Sequence, residues 1–123
     1  MSFTGFLLIG LGGALGSMLR GFTTLFFSFL SPWPTLFVNV VGAFIIGLLV
    51  KQMEGTANPE SFRNFWIIGV CGGFTTFSAF GLEIVEMLKS SQWTMSSVYL
   101  FLHVSGSVLA IFIAFRFFSF FQS

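Results

Sequence analysis

Uncharged hydrogen-bond donors sit in the most apolar parts of this sequence, in three groups whose spacing invites a chemical reading. Gly72-Gly-Phe-Thr-Thr-Phe-Ser-Ala-Phe80 joins Gly72 and Gly73 to the hydroxyls of Thr75, Thr76 and Ser78 and the rings of Phe77 and Phe80, and Glu83 follows closely. Upstream, Asn39 is the one strongly polar side chain in Thr35-Leu-Phe-Val-Asn-Val-Val-Gly42. Downstream, Tyr99, His103 and Ser107 recur at the spacing that stacks side chains on one helix face. Such groups can handle ions without a full charge to trap them. Hydroxyls and an amide donate to an anion, and a phenyl ring, negative on its face and positive at its edge, can turn its edge to the same ion. Adjacent glycines weaken a helix by about 1 kcal/mol each relative to alanine. In lipid, every carbonyl released in this way must find a partner inside the protein.

Each group also has an ordinary reading. Phe77 and Phe80 are two rings in a chain with 20 phenylalanines, where packing is the usual role. Asn39 suits an interhelical hydrogen bond, and His103 suits a hydrogen-bonded interior position. With no second His or Asp near it, His103 does not make a metal site.

The elements that must position these residues are membrane spans. Of the 123 residues, 55% are hydrophobic and 7% are charged, Asp is absent, and the net charge is +1, the composition of an all-α integral membrane protein. No charge occurs before Arg20, between Arg20 and Lys51, between Arg63 and Glu83 or between Lys89 and Arg116. Four spans of about 20 residues fit these gaps. They are expected at about residues 3–20, 34–50, 65–88 and 96–115, forming one domain over 1–123. The first span has no basic leader region and is read as mature structure. Its Gly12-x-x-x-Gly16 spacing lets another helix approach closely, and Arg20 closes it with a side chain long enough to reach the interface. Residues 21–31 read as an interfacial connection, too short and too polar to cross. Gly42 and Gly47 are placed for close packing in the second span, and Gly106, Ala110 and Ala114 in the fourth. Residues 51–63 form the aqueous loop. The third span is expected to be interrupted at residues 72–75.

Function must sit in the bundle or at a subunit contact, since no soluble domain fits. A single Cys71 excludes an intrachain disulfide. Neither an enzyme motif nor a basic cluster for nucleic acid is present. Lys51, Arg63 and Arg116 fall on the side of the N-terminus and Arg20 and Lys89 on the other, so the positive-inside bias is nearly null. A chain so balanced can insert both ways and pair antiparallel. A small channel, a small coupled transporter and a structural membrane subunit stay open on these grounds, with the polar stripes favouring permeation.

Four elements in order carry a resemblance: Gly12-Gly-Ala-Leu-Gly-Ser-Met-Leu-Arg20, Thr35-Leu-Phe-Val-Asn39-x-x-Gly42, Gly72 to Phe80 with Glu83, and the Tyr99, His103, Ser107 stripe. Together they resemble the Fluc (CrcB) fluoride channel family over essentially the whole chain. Ala79 stands where that family often has Thr, and Gly81 where Ser is common. The resemblance implies a dual-topology antiparallel homodimer in the bacterial inner membrane that exports fluoride passively through two pores. It also implies a structural sodium ion on the backbone carbonyls of Gly72 and Gly73, with Thr75 nearby. Asn39, Thr76, Phe77, Ser78, Phe80, Glu83, Tyr99, His103 and Ser107 would line the fluoride path, and Arg20 would stand near its entrance. A dual-topology small multidrug transporter has a similar plan but needs an acid in its first span, and none precedes Arg20 here.

Overall fold

The computed structural model describes residues 1–122, and its helices follow the apolar runs. Helix α1 is Phe3–Phe26, capped by the Ser2 hydroxyl accepting from the Gly5 amide at 3.2 Å. A 3₁₀ turn, Ser28–Leu30, leads to α2, Trp33–Met53, which has a proline in its first turn. Residues 59–74 form α3, which opens on Pro59 with the Asn58 side chain accepting from the Ser61 amide at 3.2 Å. Helix α4 is Phe77–Lys89 and α5 is Trp93–Gln122. Four candidate spans, Phe3–Phe26, Trp33–Met53, Pro59–Lys89 and Trp93–Gln122, are long and apolar enough to cross a membrane. Large apolar side chains such as Phe3, Leu11, Phe22, Phe101 and Phe112 face outward, while Thr35, Asn64, Thr76, Ser96 and His103 are buried. That distribution suits a surround of lipid, in which polar groups must be satisfied internally.

Two expectations are corrected. The connection placed at residues 21–31 is helical as far as Phe26, because its hydroxyls find partners within the helix. Thr23 and Thr24 donate to the Leu19 and Arg20 carbonyls, both at 2.9 Å. In the third span, Gly72 and Gly73 are themselves helical, with Gly72 at φ −62° and ψ −37°. The non-helical backbone lies just beyond them, at Thr75 (φ −86°, ψ 157°) and Thr76 (φ −152°, ψ 120°). Nor does the sequence announce that Arg63–Cys71 is wound as a wider π-helix, a form seen mostly as single turns and frequently at functional sites.

Glycine serves close approach in this molecule. A Cβ on Gly12 would lie 2.3 Å from the Phe65 carbonyl oxygen, and one on Gly16 would lie 2.0 Å from that of Val70. Across the same contact, a Cβ on Gly73 would lie 2.5 Å from the Gly13 carbonyl oxygen. So α1 and α3 touch backbone to backbone, as the Gly12-x-x-x-Gly16 spacing leads one to expect. A Cβ on Gly47 would come within 2.6 Å of the Ala114 Cβ, one on Gly106 within 3.2 Å of Val40 Cγ2, and Ala110 and Ala114 are buried. These contacts seat α5 along α2. At one end of that pair, Lys51 Nζ stands 5.1 Å from the centre of the Phe115 ring.

Candidate ion pathway

The Thr75–Thr76 step is held open by Asn39. Its Nδ2 donates to the Thr76 carbonyl at 2.9 Å, and the Thr76 amide donates to its Oδ1 at 2.8 Å. In a continuous helix that amide would close on the carbonyl of Gly72. The Asn39 side chain thus replaces a turn of helix and leaves the carbonyl end of α3 short of a partner. The Thr76 hydroxyl accepts from the Ala79 amide at 3.2 Å and lies 3.2 Å from the Ser78 hydroxyl, while Thr75 donates its hydroxyl proton to the Cys71 carbonyl at 2.9 Å. Asn39 therefore does act as an interhelical bridge, and its second amide proton stays available.

Behind the step lies an open cavity of about 460 Å³ between α2, the third span and α5. Asn39, Gly72, Thr75, Thr76, Phe77, Phe80, His103 and Ser107 all line it, together with apolar residues including Ile46, Cys71 and Ile111. Residues far apart in the chain are brought to one wall. Ser78 joins through its contact with Thr76. Arg20 is not among the lining residues, and Gly73 is turned to the α1 contact.

Phe77 and Phe80 meet at 5.5 Å between ring centres, edge to face. Their surroundings differ sharply: Phe80 is 5% exposed and Phe77 82% exposed. Phe80 continues into a cluster with His103, 4.1 Å away, and Tyr99, 5.6 Å away. Glu83 lies beyond this cluster, one oxygen accepting from the Thr35 hydroxyl at 2.6 Å and the other from the Tyr99 hydroxyl. The Tyr99 hydroxyl also stands 3.1 Å from the Pro32 carbonyl. Thr35 is the residue that sequence reasoning missed. Its signal was present, a hydroxyl in the first turn of α2, one helical turn before Asn39, but its acidic partner is 48 residues away.

These features define a four-span membrane protein with a donor-lined cavity at an interrupted helix and no cluster of charge in it. Residues 7–115 match the family model described as CrcB-like protein, Camphor Resistance (CrcB). The chain is 45% identical over 112 residues to the Fluoride-specific ion channel FluC of Rhizobium meliloti, an alignment covering 86% of this chain and 89% of that protein. It is 43% identical over 116 residues to the protein of the same name from Thermus thermophilus, covering 89% of each. With that of Agrobacterium fabrum it shares 38% over 110 residues, covering 85% of this chain and 88% of the relative. The chain belongs to the CrcB-like family.

Proposed function

We propose that this protein is a fluoride-selective channel that lets the ion leave the cell passively across the bacterial inner membrane. The observation that carries the reading is the cavity wall itself, where Asn39, Thr76 and Ser107 stand beside the Phe77–Phe80 pair. Fluoride is small and strongly hydrated, so a pore must replace its water hydrogen bonds yet bind weakly enough for release. Neutral donors and ring edges meet both demands; a buried lysine would hold the ion too well. Ser78, Glu83, Tyr99 and Arg20 extend this path in the same reading, Glu83 and Tyr99 as the group next to Phe80 and Arg20 as an entrance charge.

The working unit in this reading is an antiparallel dual-topology homodimer. Phe77 supports it, since a ring projecting from the cavity edge gains a purpose once a second copy closes over it. The glycine end of α3 supports a central sodium ion: the Gly72 carbonyl has lost its helical amide to Asn39, and carbonyl oxygens are hard donors suited to a hard cation. Gly72, Gly73 and Thr75 are the residues that would hold it. The ion would supply positive charge at the partly negative end of the half-helix.

The test is passive efflux from liposomes containing the purified protein alone. Fluoride should leave only when a potassium ionophore relieves the charge build-up, and chloride should leave far more slowly. Equal rates for the two halides, or flux indifferent to voltage, would refute the reading.

A further inference from the structure

The His103 ring is held on several sides, and its hydrogen bonding decides what it can do. Nδ1 lies 3.2 Å from the Tyr99 carbonyl oxygen one turn back in α5. A carbonyl oxygen only accepts, so the proton of the neutral imidazole is on Nδ1. Nε2 is then a lone pair, and it is buried with no hydrogen-bond partner. A lone pair repels an anion. The stripe position that looks like a donor in the sequence therefore offers a neutral ring no donor toward the cavity.

What His103 does offer is its ring. It lies 4.1 Å from Phe80, centre to centre, with 35° between the planes, and 4.4 Å from Tyr99 in an edge-to-face arrangement. Tyr99 is fully buried and His103 is 5% exposed, so the imidazole has little room to turn. Phe80 is thereby in aromatic contact with His103 and with Phe77. Since a ring attracts an anion at its edge and repels it at its face, the tilt of Phe80 determines whether it assists or blocks.

We infer that His103 is a positioning residue that sets the tilt of the Phe80 ring through aromatic contact and takes no part as a hydrogen-bond donor to the passing ion. This rests on the channel reading above. The test separates ring from nitrogen. His103→Phe keeps an aromatic ring and removes both nitrogens; His103→Gln keeps an amide donor and removes the ring, and His103→Leu removes both. Each purified variant is compared with wild type by gel filtration and by fluoride and chloride efflux from liposomes.

Fluoride conductance within about threefold of wild type in His103→Phe, with a fall of about tenfold and a lower fluoride-to-chloride ratio in His103→Gln and His103→Leu, is the expected pattern. A folded His103→Phe that no longer conducts, or a His103→Gln that matches wild type, overturns the inference. If neither ringless variant folds, His103→Phe alone decides by the same criterion. Wild-type protein that passes no fluoride would instead sink the channel reading, and this role with it.

Discussion

At the scale of single residues, the cavity separates groups already engaged in the fold from groups with capacity to spare. Phe80 is locked among His103, Tyr99 and Phe77, while Phe77 projects from the molecule. The two rings should therefore fail differently. Phe80→Leu removes a ring that its neighbours have oriented, and should cut fluoride efflux strongly while leaving the protein folded on gel filtration. Phe77→Ile removes an exposed ring that touches Phe80 within the chain. A loss of efflux there with the protein still folded would report contact with the ion, contact with a second copy, or a changed tilt of Phe80. Undiminished flux in both variants would return the pair to ordinary packing. Glu83 gives a stability prediction at the same scale. Thr35→Val deletes a hydroxyl that donates to it at 2.6 Å. An intramolecular hydrogen bond typically contributes about 0.5–1.5 kcal/mol, and thermal unfolding in detergent should show a loss of that order. An unchanged midpoint would mean that water or Tyr99 takes over the bond.

At the scale of elements, the third span depends on neighbours for a geometry its own sequence does not hold. Glycines at 72 and 73 do not themselves unwind the helix; Asn39 of α2 does, by taking both backbone groups of Thr76. Asn39→Ala would leave the buried Thr76 amide without a partner, at about 1–3 kcal/mol, while the Thr76 carbonyl, as the N-cap of α4, keeps its helical bond. The helix would then be expected to close through Thr75 and Thr76, with loss of fluoride efflux and lower stability together. Full conduction in that variant would contradict the role assigned to Asn39. The α1–α3 contact is equally specific. Its backbones meet so closely that a Cβ at Gly16 would stand 2.0 Å from the Val70 carbonyl oxygen. Gly16→Val should push the helices apart and deplete folded protein, whereas Gly10→Ala, where a Cβ meets nothing within 4 Å, should be tolerated. Equal yields of the two would show that the contact is adjustable.

At the scale of the whole molecule, the chain exposes many large apolar side chains while Thr35, Asn64, Thr76, Ser96 and His103 are buried, and it carries almost no charge bias to orient it. Three basic residues on one side and two on the other give a positive-inside bias close to null. Adding two or three lysines to the loop between Met53 and Pro59 should impose one orientation and abolish efflux when that variant is expressed alone. Activity from protein shown to share a single topology would exclude the antiparallel arrangement. Sodium belongs to this scale as well. Purification in a large organic cation should give inactive protein that sodium restores, and full activity without sodium would dismiss the site at Gly72, Gly73 and Thr75.

Sequence by itself determined the class of the protein, because crossing lipid leaves a one-dimensional trace. Charges confined to the ends of apolar runs located four spans, and Gly12, Gly16, Gly47 and Gly106 marked where helices touch. The donor groups at Asn39, at Thr75 to Phe80 and at Tyr99 to Ser107 were legible in the same way, as polar residues that an apolar surround does not tolerate without cause. Tertiary structure decided what each of them is bonded to. Asn39 and Thr76 are 37 residues apart, Thr35 and Glu83 are 48 apart, and Tyr99 and Pro32 are 67 apart. Such pairings follow from how helices cross, which periodicity does not encode. The same cause shifted the non-helical step from the expected residues 72–75 to Thr75 and Thr76. It also turned His103 from an apparent donor into a ring held against Phe80, since a hydrogen-bond direction depends on the carbonyl that the folded helix puts beside it.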